Sequence, residues 1–218
     1  MSRCNYYEAY LKGINHPLPD LARTFQAEKT YLSNIIKKLS SKSRILDIGC
    51  GVGRPLLDLA RTFENKQFYG IDFDKRMIKG AKEQQNIQNI SFLVKNASNT
   101  TFENEFFTTT YSTYNFVGCM QKDSINTFLQ EQKRITQEEI ISIFWNSKSS
   151  TTEFLKKYYL SIGINIVHLT DSELVTDKNT RRPSSKEIAE YYTIAGINVL
   201  SIDPVGELWV AVRGKKNV

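Results

Sequence analysis

The sequence predicts an α/β fold: a doubly wound, seven-stranded, mostly parallel sheet with an antiparallel C-terminal hairpin, N-terminal helices and a small inserted cap. Three observations carry that reading. Ile45-Leu46-Asp47-Ile48 is a short apolar run that ends in the glycine-rich turn Gly49-Cys50-Gly51-Val52-Gly53, and helical apolar spacing follows from Arg54 to Phe63. Short β-like runs then alternate with helical segments as far as Trp145, as in a parallel sheet built by crossovers. Last, Ile197 to Ile202 and Glu207 to Val212 flank Asp203-Pro204-Val205-Gly206, a hairpin signal.

Taken in order, Cys4 to Lys12 reads as a short aromatic-rich helix. Leu18-Pro19-Asp20 precedes a longer one, Leu21 to Leu39, whose residues Leu21, Phe25, Leu32, Ile35, Ile36 and Leu39 keep a helical period. Arg23 and Glu28 on it read as residues over a site or as part of the helix's packing on the core. Pro55 falls near the first turn of the helix after the glycines, where its missing N–H costs little. Gln67 to Asp72 is the next strand, and Asp74 caps a helix from Lys75 to Gln85. Strands at Ile90 to Val94, Phe106 to Tyr111 and Glu139 to Trp145 follow, with a helix from Asp123 to Arg134 before the last of them. Beyond a helix at Thr151 to Ser161, two short β-like runs make residues 163–183 an inserted hairpin or cap, followed by a helix from Lys186 to Ala195. The expected organisation is one domain over 1–218: a helical cover at 1–42, a cofactor-binding core at 43–145, the cap at 163–183 and the hairpin at 196–214.

The turn itself narrows the ligand. Glycine lets backbone bend sharply and lie within contact distance of a bound molecule. A dinucleotide site wants Gly-x-Gly-x-x-Gly with pyrophosphate on the helix N-terminus. Here the pattern is Asp-x-Gly-x-Gly-x-Gly, and Asp47 would repel a pyrophosphate but suits a molecule carrying an ammonium and a sulfonium. Asp72 closes the next strand about twenty residues on, where an acid accepts hydrogen bonds from ribose hydroxyls.

With these residues the chain resembles the class I S-adenosylmethionine-dependent methyltransferases, whose first motif reads much like ILDIGCGVG; the resemblance covers roughly 43–145 and, more loosely, the terminal hairpin. It implies S-adenosylmethionine as cofactor and S-adenosylhomocysteine as product. It places Gly49, Cys50, Gly51 and Gly53 against the cofactor, Phe73 near the adenine, and Asn96-Ala97 where the family usually has Asp-Ala touching that ring. The segment Ser112 to Gly118 resembles one that many small-molecule methyltransferases carry beside the methionine end, so Ser112 and Asn115 join the cofactor set; Thr108 stands where the family commonly has Asp. The implied reaction moves a methyl group to a nitrogen or oxygen of a small molecule. RNA or protein acceptors, and a cofactor-binding module without catalysis, are the alternatives.

On the acceptor side, the family's N-terminal helices lie over the cleft, which makes Tyr6, Tyr7 and Tyr10 candidates to cover it. Tyr10, Tyr114 and His168 are the catalytic candidates. Trp145 and Asn146 are delivered to the ligand edge by the fifth strand, and Arg181 offers a guanidinium fork to a substrate carboxylate. Cys50 reads as packing within the turn.

Composition bounds the rest. With 218 residues, 40% of them hydrophobic, the chain can bury a full core around one sheet. No apolar leader or bilayer-length run is seen, so the cytosol is expected and no membrane. Cys4, Cys50 and Cys119 are widely spaced, His16 and His168 are far apart, and no metal is expected. The net charge of +6 keeps nucleic acid open as a partner, although the basic residues are dispersed. Monomer and homodimer are both compatible with the sequence.

Overall fold

The computed structural model describes residues 3–15, 17–84, 86–163 and 181–216. Its sheet has seven strands: β1 (Arg44–Ile48), β2 (Gln67–Asp72), β3 (Ile90–Val94), β4 (Phe107–Ser112), β5 (Thr136–Trp145), β6 (Ile197–Val205) and β7 (Trp209–Lys216). Their order is β3-β2-β1-β4-β5-β7-β6. The first five run parallel, β7 is antiparallel to β5, and β6 pairs antiparallel with β7. The expected fold class is therefore the one observed. Chain order reverses between β1 and β4, and open α/β sheets bind ligands outside the carboxyl ends of strands at such a switch.

Helices cover both faces. Alternate side chains of a strand face opposite sides, so β1 sends Ile45 and Asp47 one way and Leu46 and Ile48 the other. Ile45 packs in a core with Leu21 and Leu32 of α2 (Pro19–Ile36), Leu56 and Leu59 of α3 (Leu56–Thr62), Ile78 of α4 (Lys75–Glu83) and Leu155 of α6 (Ser149–Ser161). Leu46 and Ile48 join the opposite core, with Ile125, Phe128 and Leu129 of α5 (Lys122–Ile135) and Ile188 and Tyr192 of α7 (Ser185–Ile194). The N-terminal helix α1 (Arg3–Ile14) belongs to neither layer. Its Tyr10 packs with Val52 and Met77 at the ligand edge.

Three boundaries depart from expectation for identifiable reasons. Strand β5 begins at Thr136, straight out of α5, because Thr136 pairs with Phe107 while its hydroxyl donates to the Gln132 carbonyl at 2.6 Å. Its polar start, Thr-Gln-Glu-Glu, hides that strand from an apolar pattern. In the hairpin, Asp203 and Pro204 belong to β6 rather than to the turn. Tyr31 and Ser201 donate to the Asp203 carboxylate at 2.6 and 2.8 Å and hold it in the strand, and Pro204 is tolerated because β6 is an edge strand. Helix α3 starts at Leu56, with Pro55 as the residue before it. Of the expected cap, residues 164–180 lie outside the described residues.

Candidate active site

Asp47 is fully buried near the end of β1, and neither carboxylate oxygen has a hydrogen-bond partner. Burial pushes its carboxyl well above the usual carboxylate range, Glu28's charge adds to that, and Arg54 only partly offsets it. A buried, unpaired carboxylate costs several kcal/mol unless a cation meets it. Asp72 differs in kind. Its oxygens accept from the backbone N–H of Gly51 at 3.1 Å and of Asp74 at 2.9 Å, which fixes the carboxylate between the turn and α4 and leaves its remaining lone pairs for ligand hydroxyls. Burial still raises its pKa, against those donors.

Each glycine of the turn has a side chain packed against its open face. Gly51 has φ +54, and a Cβ there would lie 2.5 Å from the Tyr10 hydroxyl. The open face of Gly49 is filled by the Phe116 ring, and that of Gly53 by Phe92 and Leu57. A side chain at any of the three would displace a packed ring, so the turn accepts only glycine there. Cys50 is buried, and burial pushes its thiol up, so it stays protonated and packs beside Gly70. Next to Asp72, Phe73 is 60% exposed, an unusual position for a large apolar ring and one suited to covering a base. Asn96 is exposed at the end of β3, its Oδ1 accepting from the Ser98 N–H at 2.9 Å, and Ala97 lies half-buried beside it. Ser112 is buried with its hydroxyl unpartnered at the end of β4.

Tyr114 is the hub of the other half. Its hydroxyl meets that of Tyr158 at 2.6 Å, and its ring is ringed by Tyr10, Phe25, Trp209 and Trp145 at centroid distances of 5.5, 5.8, 6.0 and 6.3 Å. Trp145 and Trp209 stack at 3.8 Å. Helix α1 closes over the phenol pair at Gly13, where any Cβ would collide with the Tyr158 hydroxyl. Burial raises the phenol pKa of both Tyr10 and Tyr114, and for Tyr114 the Tyr158 pair adds to it.

Several expected site residues turn out to be committed elsewhere. Asn115 uses its amide within the scaffold: Nδ2 donates to the Arg181 carbonyl at 3.0 Å, and Oδ1 accepts from the Trp145 N–H at 3.4 Å. Asn146 donates to the Glu207 carbonyl and accepts from the Lys148 N–H and the Thr151 hydroxyl, anchoring the start of α6. Arg181 is buried with its guanidinium on Glu187 at 2.9 Å and on the Met120 carbonyl at 3.2 Å, so its fork is already filled. Tyr7 lies under the Arg76 guanidinium of α4, 5.1 Å from its ring centroid. The Tyr6 side chain and His168 lie outside the described residues.

Sequence reasoning passed over a buried charge pair. Glu28, fully buried, accepts from Arg54 Nη2 at 2.8 Å and from the Tyr114 N–H at 3.3 Å, while the Arg54 guanidinium sits 3.6 Å over the Phe25 ring. A signal was present: Glu28 occupies the apolar stripe of α2 between Leu21 and Leu32, where an acid needs a partner. Trp209 and Tyr158 were also missed, because their approach to Tyr114 depends on how β7 and α6 pack.

Residues 45–139 match the family model of a methyltransferase domain. No curated protein sequence matches the chain. Among solved structures, a Pyrococcus horikoshii protein is similar at TM-score 0.71 and 14% identity, covering 98% of this chain and 99% of its own. A SAM-dependent methyltransferase from Aquifex aeolicus is similar at TM-score 0.66 and 19% identity, over 90% and 92% of the two chains. Magnesium protoporphyrin IX methyltransferase from Synechocystis, with bound SAH, is similar at TM-score 0.67 and 11% identity, over 99% and 95%. At these identities the structures establish the fold. The domain match over residues 45–139, the acidic glycine turn and the second acid at Asp72 together support an S-adenosylmethionine-dependent methyltransferase, and these motifs resemble those of class I. The residues fit that cofactor, since the orphaned Asp47 carboxylate calls for a cation and Asp72 and Phe73 offer ribose and adenine contacts.

Proposed function

We propose that the enzyme methylates a nitrogen or oxygen of a small-molecule acceptor. The observation that carries this reading is the aromatic roof on the acceptor side. Tyr10, Phe25, Tyr114, Trp145 and Trp209 crowd the ligand edge under α1, a geometry that suits a small enclosed acceptor better than an RNA or protein surface. When bound, S-adenosylmethionine supplies an electrophilic methyl group on a sulfonium. The chain's own part is placement and desolvation. Asp47 holds positive charge at the turn, and Asp72 holds the ribose end. The Tyr114–Tyr158 pair, kept protonated by burial, orients an acceptor heteroatom through a hydrogen bond instead of taking its proton. Tyr10 acts in the same way. An amine would enter neutral, stripped of water by the rings.

Methyl transfer from radiolabelled cofactor, assayed against separated metabolite, RNA and protein fractions of a cell extract, tests the proposal. Label in a metabolite fraction that migrates as a small compound is the expected outcome. Label confined to RNA or protein would replace the reading with a macromolecular acceptor.

A further inference from the structure

Trp209 opens β7 directly opposite Trp145, the last residue of β5, so both indoles stand at the edge of the sheet where ligands bind. The residue is 1% exposed, and its Nε1–H is buried with no acceptor among the described residues. The hydroxyls of Thr109, Tyr111 and Ser112 are also buried and unpartnered, but a hydroxyl can turn about its bond. An indole N–H cannot. It donates only, in the plane of a ring that stacking on Trp145 at 3.8 Å and 17° holds in place. Phenylalanine would fill a ring-lined position without stranding a donor, so packing alone does not account for tryptophan here. The ring of Tyr114 lies 6.0 Å away, but its hydroxyl is engaged with that of Tyr158 at 2.6 Å.

The missing partner is a neutral oxygen. A carboxylate within this ring cluster would need a cation, and the Arg54 guanidinium, 5.8 Å from the Tyr114 ring, is neutralised by the buried Glu28 carboxylate at 2.8 Å. A carbonyl needs only the one donor that Trp209 holds out. We propose that Trp209 is a specificity-determining residue whose Nε1–H binds a neutral carbonyl oxygen of the methyl acceptor. This deepens the small-molecule reading above and rests on it. The Tyr114–Tyr158 pair takes the hydroxyl or amine that receives the methyl group, and Trp209 takes a carbonyl carried on the same molecule. The substrate class is thus a neutral hydroxy- or amino-carbonyl compound.

Trp145 and Trp209 are the two tryptophans of the chain, so isotope labelling of tryptophan gives a nuclear magnetic resonance spectrum with two indole N–H signals. Trp209→Phe, or Trp145→Phe if the first fails to fold, assigns them. In the full chain saturated with S-adenosylhomocysteine, the Trp209 signal should stand where an unbonded indole N–H does. It should move downfield to the bonded position when the metabolite fraction that accepts labelled methyl groups is added, and stay still with fractions that accept none. In transfer assays on dilutions of that fraction, Trp209→Phe should raise the apparent KM about ten-fold and leave kcat and S-adenosylhomocysteine affinity within about three-fold, the pattern of a contact made equally in ground and transition states. A signal already at the bonded position without acceptor overturns the proposal, since the chain or a trapped water then satisfies the donor. So does an accepting compound that proves to carry no carbonyl. Label uptake that leaves the signal unmoved sinks the role of Trp209 alone, whereas no uptake by any metabolite fraction sinks the small-molecule reading and this role with it.

Discussion

The two halves of the ligand edge treat their polar groups in opposite ways. On the acceptor half, Asn115, Asn146 and Arg181 bond to backbone groups and to the side chains of Thr151 and Glu187. On the cofactor half, Asp47 is stranded, and Ser112 and Arg54 Nε are unpartnered. Folding alone would remove such groups, because an unpaired buried carboxylate is far costlier than an apolar residue of its size. Unsatisfied buried groups point to where a ligand belongs, whereas the amides and the guanidinium already satisfied by the chain brace the scaffold.

Asp47→Asn is the strongest way to break that comparison. Removing the charge should weaken S-adenosylhomocysteine binding about 100-fold, read by calorimetry. The free chain should become more stable at the same time. Asp47's folded pKa is raised above its unfolded value, so the folded state binds the extra proton and loses stability as pH climbs through that range. The variant's gain should therefore grow as pH rises and fade at low pH, with a shift in Tm of about 2–4 °C for each kcal/mol. A variant that melts below the wild type at pH 7 would mean that Asp47 is a structural acid after all.

How far the sequence disclosed this site depends on whether a residue's role is local. The placement of Asp47, Gly51 and Asp72 was legible because strand, turn and helix set it by sequence proximity, and the mostly parallel sheet with its antiparallel end followed from alternation and the hairpin signal. The protein partners of Asn115, Asn146 and Arg181, namely Trp145, Glu207 and Glu187, were not legible because tertiary packing fixes them, and a polar residue at a strand end looks the same whatever its partner. Glu28 left a trace in the helical period of α2, but the identity of its partner, Arg54, required the fold.

The scaffold half of the comparison is sharpened by Asn115→Ala. Two buried hydrogen bonds are lost, and alanine at φ 61 is strained where asparagine is tolerated. A loss of about 2–4 kcal/mol in urea unfolding is expected, with S-adenosylhomocysteine affinity of the folded protein changed less than about three-fold. A ten-fold drop in affinity at unchanged stability would return Asn115 to the cofactor's contacts.

The smallest effect sets two carboxylates side by side. Glu131 of α5 is everything Asp47 is not: its oxygens accept from the Arg134 guanidinium and from the N–H and hydroxyl of Thr100, at 2.6 to 2.8 Å. The Arg134 bonds hold its pKa down to about 2. A depressed folded value stabilises the protein above the unfolded pKa, near 4.3, and that contribution is lost as pH falls toward 2. Glu131→Gln should accordingly cost about 1 kcal/mol at pH 7 and almost nothing at pH 2. The slope of stability against pH should thus carry opposite signs in the two variants, since one carboxylate is supplied with donors by the chain and the other awaits them from the cofactor. Matching slopes would show that the pairing of these acids, and not only their burial, has been misread.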